Sequence, residues 1–163
     1  MHTRTTARRA GRSISRTCAF VTETLEARRL LAAVSWTGLG DGVSWTSANN
    51  WSNNAVPTAA DDVTINIAAN PNITVSGNQS VRSIVSAERM TFNSATLTIA
   101  EPSSFSDLIT LNSSTLTGAG NFNFTGTLTL NNGTLAGTGA ATLANGATLN
   151  FASSSNVLSR TLT

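Results

Sequence analysis

The sequence predicts an all-β protein whose main part is a right-handed parallel β-helix, or β-solenoid, with coils of about 19 residues. Three observations lead to this fold class. A phrase of alternating apolar and polar residues recurs between residues 73 and 151, first at an interval of 17 residues and then of 19. Glycines recur at the same interval of 19 between residues 118 and 139. Charged residues make up only 11% of the chain, and Thr, Ser, Asn, Ala and Gly dominate it, which suits short strands joined by small polar turns.

The repeated phrase has a form close to x-Thr-x-Asn, and its side chains alternate as they do along a β-strand. Its apolar residues would therefore stack from coil to coil in columns inside the solenoid. One such inner column is predicted to contain Leu111, Leu130 and Leu149. The side-chain amides that end the phrase would hydrogen-bond from one coil to the next. This predicted amide ladder contains Asn93, Asn112, Asn131 and Asn150.

We assign residues 68–163 to the solenoid repeats. The segments 115–120 and 134–139, Thr-Leu-Thr-Gly-Ala-Gly and Thr-Leu-Ala-Gly-Thr-Gly, resemble the autotransporter-associated β-strand repeats of bacterial surface proteins. That resemblance implies an exported solenoid. The alternation weakens after Phe151, and the sequence stops in the middle of a coil. We therefore expect either an incomplete solenoid or an open end that associates with another copy, because an uncovered sheet edge promotes association.

All three tryptophans of the chain lie in the segment 34–67, as Trp36, Trp45 and Trp51. The pattern W-x-G, W, N-W, P, D-D-V in this segment is similar to the opening segment that precedes β-solenoid repeats in bacterial surface and autotransporter-like proteins. A solenoid needs a cap on its first coil, and large aromatic side chains bury much area in a small cap. We predict that the tryptophans form this cap. The alternative is that their rings are exposed and stack on sugars.

Three carboxylates in the same segment, Asp41, Asp61 and Asp62, are candidate oxygen ligands for Ca²⁺. Their spacing does not match an EF-hand loop. Asp62 also stands directly before a strand-like run, where a carboxylate commonly stabilises a turn. We therefore expect no metal, and these three residues are the candidates if one binds.

The first 33 residues are predicted to be a basic targeting or sorting head, mostly disordered or forming a short helix. They carry seven arginines and two glutamates, and the glutamates interrupt any continuous apolar signal region. The segment 25–31 resembles the LEPR-XLL segment of large exported proteins of planctomycete-type bacteria, with Ala27 where the family has proline. The resemblance implies a sorting function for the matching residues Leu25, Glu26, Arg28, Leu30 and Leu31.

Charge separates the head from the body. Residues 1–33 carry a net charge of +5, and residues 34–163 carry −3. A nucleic-acid partner for the body is disfavoured because phosphate binding needs a basic face. No run of about 18 apolar residues occurs, so no transmembrane helix is expected. The expected partners are a cell-envelope or extracellular polysaccharide and a second copy bound end to end.

Few residues in the sequence suit catalysis. Cys18 is the single cysteine and His2 the single histidine, and both lie in the head. Glu88 and Asp107 recur at 19 residues and could lie one above the other, but paired carboxylates on a β-helix enzyme would need further ionisable neighbours. We expect no cofactor and no enzymatic activity.

The sequence thus predicts a non-enzymatic structural or adhesion protein that is extracellular or lies at the cell surface. Two alternatives stay open. One is a carbohydrate-binding module that uses exposed tryptophans, and the other is the N-terminal piece of a larger β-helix enzyme that acts on polysaccharides.

Overall fold

The computed structural model describes residues 33–163. The head assigned to residues 1–33, with its sorting segment 25–31, therefore lies outside the described residues except for Ala33. The described part contains fourteen short strands and one 3-10 helix, η1. In chain order these are β1 (Ala33–Ser35), η1 (Ala48–Asn50), β2 (Asp62–Ile65), β3 (Asn72–Val81), β4 (Ser83–Ser86), β5 (Arg89–Ile99), β6 (Ser103–Phe105), β7 (Ile109–Asn112), β8 (Thr115–Thr117), β9 (Phe122–Phe124), β10 (Thr127–Asn131), β11 (Thr134–Leu135), β12 (Ala141–Leu143), β13 (Thr148–Phe151) and β14 (Val157–Leu158).

The strands form two sheets in which all neighbours are parallel, as the sequence predicts. The six-stranded sheet has the order β1-β2-β4-β6-β9-β12. The eight-stranded sheet has the order β13-β10-β7-β5-β8-β11-β14, and β3 also pairs with β5. Sequential strands alternate between the sheets, so the chain winds as a β-solenoid of about five coils with about 19 residues each. The predicted fold class is confirmed.

The inner columns follow from strand alternation. In β5, β7 and β10 the residues at every second position point inward and are fully buried, and Thr or Asn stands between them. Cα register pairs Phe92 with Leu111 and Leu111 with Leu130, so the predicted column is present over these three coils. In the six-stranded sheet Phe105 and Phe124 are paired in the same way, with stacked rings 5.2 Å apart.

The last coil departs from the predicted register. Leu149 pairs with Leu128 and not with Leu130, and Asn150 pairs with Thr129 and not with Asn131. The prediction for Leu149 and Asn150 was therefore wrong by two residues. The register of the structure places both Leu149 and Phe151 above apolar partners, whereas an interval of 19 would have placed Ala147 there. Burial of apolar area selects the register that stacks the larger side chains.

The tryptophan segment is continuous with the solenoid. Its strands β1 and β2 are the first two strands of the six-stranded sheet, and the three tryptophans belong to the same buried core as the repeats. The segment also covers the first edge of the eight-stranded sheet, because Trp45 N donates to Thr74 O (2.9 Å) and Thr74 N donates to Val43 O (2.7 Å). Within residues 33–163, no helix is long and apolar enough to cross a membrane.

Candidate functional site

The tryptophan cap, which we define by Trp36, Trp45 and Trp51, is buried. The three side chains are 3%, 0% and 1% exposed. The Trp51 ring meets both others edge to face, at centroid distances of 4.8 Å from Trp36 and 4.7 Å from Trp45. Trp51 Nε1 donates a hydrogen bond to Trp45 O (2.7 Å). The expectation that these rings are exposed for stacking on sugars is wrong, because they fill the first layer of the core.

Asn50 organises the loop that holds the cap, a role that the sequence analysis did not assign. Its side chain is fully buried. Its Oδ1 accepts from the backbone N–H groups of Gly40 (2.9 Å) and Gly42 (3.0 Å). Its Nδ2 donates to Asp41 Oδ1 (2.7 Å) and to Ser44 O (2.9 Å). The polar atoms of this amide therefore replace the backbone pairing that an irregular loop lacks.

Asp41 serves the same loop. Its Oδ1 accepts from the backbone N–H groups of Val43 (3.0 Å) and Ser44 (2.9 Å) as well as from the Asn50 amide. Hydrogen bonds from Ser44, Asn50 and Val43 stabilise the ionised carboxylate and hold the pKa of Asp41 well below its usual range. Asp41 is thus committed to a turn.

The other two metal-ligand candidates are engaged elsewhere. Asp61 Oδ2 accepts from the backbone N–H (2.7 Å) and the hydroxyl (2.9 Å) of Thr58, which closes a turn before β2. Asp62 is bonded to Arg82 and Ser83 of the next coil. Burial by itself would raise the pKa of Asp62, but the hydrogen bonds from Ser83 and Arg82 outweigh it and lower that pKa.

The structure does not bring these three aspartates together. Across residues 33–163, no group of three or more His, Cys, Asp or Glu side chains is placed to hold a metal ion. Glu88 and Asp107 also have separate roles. Buried Glu88 accepts from Ile67 N (2.7 Å), and Asp107 accepts from Leu108 N (2.7 Å) and lies 3.8 Å from the Arg89 guanidinium.

The amide ladder runs along the outer side of the eight-stranded sheet. Asn112 Nδ2 donates to Asn93 Oδ1 (3.0 Å), and Asn131 Nδ2 donates to Asn112 Oδ1 (3.2 Å). The residue after each ladder position has a left-handed backbone, with φ values of 46° at Ser94 and Ser113 and 53° at Asn132. The ladder therefore marks the corner at which every coil bends.

Two columns of partly exposed threonines flank the amide ladder, and the coils repeat at about 4.8 Å. We call these columns and the ladder together the Thr–Asn face. It carries little charge, because Arg160 is the single charged residue of the sequence between positions 108 and 163. The threonines of the two columns are Thr91, Thr110 and Thr129, and Thr96, Thr115 and Thr134.

Arg160 is buried and fastens the last coil. Its Nε donates to Gly139 O (2.8 Å) one coil below, and its second terminal nitrogen donates to Gly120 O (2.6 Å) two coils below. The guanidinium carbon lies 3.8 Å from the centroid of the Phe122 ring, which adds a cation–π contact. A Cβ on Gly139 would come within 2.2 Å of Gly120 O, so only glycine allows the coils to approach this closely at that corner.

Comparison with family models, curated proteins and solved structures finds no match to this chain. The class of protein is therefore defined by its own architecture. It is a short parallel β-solenoid with a buried tryptophan cap and an uncharged Thr–Asn face.

Proposed function

We propose that this protein is a non-enzymatic structural or adhesion protein of the cell exterior, in which the solenoid acts as a short stalk or contact surface. The observation that carries the proposal is the Thr–Asn face on its stack of coils. Hydroxyl and amide groups repeat there in fixed register, one coil apart, above columns of fully buried side chains.

Rigidity supports the role of a stalk. Each coil is tied to the next by parallel strand pairing in both sheets, by its inner columns and by the amide ladder. A solenoid of this kind gains its stability from contacts between neighbouring coils. Buried backbone groups that are paired within the stack are also poor substrates for proteases, which is an advantage outside the cell.

The address rests on the head. Its segment 25–31 resembles a sorting segment of exported proteins, and its net charge of +5 contrasts with the body. We propose that this head directs the chain out of the cytoplasm and that the solenoid is the exported part.

The partner that suits the Thr–Asn face is a neutral polysaccharide of the cell envelope or the extracellular matrix. Sugar hydroxyls exchange hydrogen bonds with hydroxyl and amide groups without needing opposite charge. This surface replaces the tryptophan rings as the expected place of contact, since those rings are buried.

Localisation tests the proposal. The full chain with a C-terminal epitope tag is produced in a planctomycete-type bacterium, and intact cells are treated with a protease that cannot enter them. We expect the tag to be removed from intact cells or found in the medium. The triple variant Arg28→Glu, Leu30→Asp, Leu31→Asp should keep the tag inside. Equal protection of the tag in both chains would contradict the proposed address.

Binding tests the proposed contact. We expect the purified protein to sediment with insoluble cell-wall polysaccharide from the same bacterium. Thr110→Arg, in the centre of the Thr–Asn face, should reduce the bound fraction. Asn123→Arg is the matched control because Asn123 is exposed on the outer side of the six-stranded sheet. Equal binding by both variants would contradict a role for the Thr–Asn face.

A further inference from the structure

The inner columns of the solenoid end on an exposed surface. We call this surface the C-terminal end face, formed by β13, β14 and residues 161–163. Its apolar side chains Phe151, Leu158 and Leu162 are 55%, 38% and 40% exposed. Their partners one coil below are Leu130, Leu135 and Ala141, all fully buried. The same columns are thus sealed inside the stack and open at its end.

The backbone of this end face is also available for pairing. Thr148 N and Ala152 N donate to the coil below, at Gly126 O (3.1 Å) and Leu130 O (2.8 Å). Because backbone groups alternate in direction along a strand, the N–H and C=O of Phe151 point away from that coil. Both β13 and β14 are outermost strands, and among residues 33–163 no strand pairs with their free edges.

The opposite end of the solenoid is closed. The cap loop occupies the edge of β3 through hydrogen bonds between Trp45, Thr74 and Val43. The edge of β1 is likewise occupied, since Ser52 N donates to Ser35 O (2.9 Å). A second copy therefore finds a free edge only at the C-terminal end face, which excludes head-to-tail stacking.

The C-terminal end face lacks the charges with which sheet edges commonly prevent association. Residues 144–163 contain no acidic residue, no lysine and no proline. Their single charged side chain is Arg160, which is 9% exposed and directed at Gly120 and Gly139. Two copies of this surface can therefore meet without repulsion between like charges.

We propose that two copies of this protein associate through their C-terminal end faces to form a two-fold symmetric dimer. The two-fold axis brings the free edges together in antiparallel orientation, a pairing that β-strands readily form. It also joins the open inner columns of the two copies into one continuous core. The same patch serves on both copies, so the assembly closes at two. This inference rests on the fold and is independent of the proposed function.

The test is the molar mass of the purified full chain in solution, measured by sedimentation equilibrium over a range of concentrations with reductant present so that Cys18 stays a thiol. We expect a reversible equilibrium between monomer and dimer. Phe151→Arg and Leu158→Arg each place a charge in the contact and should raise the dimer dissociation constant by about tenfold or more.

Two control variants add the same charge elsewhere. Leu39 in the cap loop is 83% exposed, and Val85 on the side of the solenoid is 52% exposed. Leu39→Arg and Val85→Arg should leave the dissociation constant unchanged, and all four variants should keep the far-ultraviolet circular dichroism of a β-protein. A monomer at every soluble concentration would overturn the proposal. Oligomers that grow beyond two, or a dimer that Leu39→Arg disrupts while Phe151→Arg does not, would overturn it as well.

Discussion

Single polar side chains decide how the ends of the solenoid are held. Asn50 is the clearest case because one buried amide makes four hydrogen bonds within the cap loop. The sequence gives a weak signal for it. An asparagine directly before a buried tryptophan and close to Gly40 and Gly42 is compatible with a turn, but several exposed asparagines in this chain look the same. Only the folded loop distinguishes Asn50 from its neighbour Asn49.

Replacing Asn50 by alanine should destabilise the protein strongly. The change leaves the N–H groups of Gly40 and Gly42 and the carbonyl of Ser44 without their partner. Each unsatisfied buried group costs about 1–3 kcal/mol, so we expect a loss of about 3–5 kcal/mol in the free energy of unfolding. Chemical denaturation followed by tryptophan fluorescence measures this loss. Asn49→Ala, at an exposed position, should change the value by less than about 0.5 kcal/mol.

Asp41 makes the cap sensitive to acid. Its pKa in the folded protein lies below the ordinary value of 3.8, so its ionised form stabilises the fold above that pH. This stabilisation is lost as the pH falls through the lowered pKa. We expect the melting temperature to change little between about pH 7 and pH 5 and to fall below about pH 4. Asp62, whose pKa is also lowered, contributes in the same direction.

The variant Asp41→Asn separates the two aspartates. It should have a lower melting temperature at neutral pH and a smaller further decrease on acidification, because the group that titrates is gone. Thermal melts recorded across the pH range check both expectations. A decrease as steep as that of the parent protein would show that the acid sensitivity comes from other carboxylates.

At the scale of the strands, the chain's periodicity predicts more than its individual residues do. The columns through Phe92, Leu111 and Leu130 could be read directly, because strand alternation and a constant interval leave one register. The error began at β13. There the phrase Ala-Thr-Leu-Asn repeats the pattern at an interval of 19, but apolar burial favours an interval of 21, with Phe151 above Leu130. Matching residue letters was a weaker guide than matching side-chain volume.

The amide ladder can be tested at its middle position. Asn112 donates to Asn93 and accepts from Asn131, so Asn112→Ala removes both hydrogen bonds. Because these groups are close to solvent, we expect a loss of about 1–2 kcal/mol in the free energy of unfolding. The measurement is urea denaturation followed by circular dichroism. Asn123→Ala is the control, since the Asn123 side chain makes no hydrogen bond within the described residues. An equal effect of both changes would contradict a stabilising ladder.

At the scale of the whole molecule, stability depends on how well each coil is held by its neighbours. Most coils are held on two sides, and the last coil is held on one. Arg160 compensates in part because its side chain reaches Gly139 and Gly120 and so joins three coils. The sequence did not indicate this role. A lone arginine in a weakly patterned segment is usually exposed, and the space it fills becomes visible only once the glycines at 120 and 139 are stacked.

The variant Arg160→Met tests this attachment while keeping much of the side-chain volume. It removes two charge-assisted hydrogen bonds and the cation–π contact with Phe122. We expect the free energy of unfolding to fall by about 2–4 kcal/mol, because two carbonyls are left unpaired. Limited proteolysis should then cut first within residues 144–159. Ser159→Ala, at the exposed neighbouring position, should leave the cleavage pattern unchanged.

The closed cap and the open last coil also give the molecule a direction along its axis. Opening can begin where a coil has one neighbour, and it must proceed coil by coil towards the tryptophans. Amide hydrogens should therefore exchange with deuterium fastest in β13 and β14 and slowest in β2 and β4. Partially opened forms will keep the cap intact, so the tryptophan fluorescence will report only the final step of unfolding, after the distant coils have already separated.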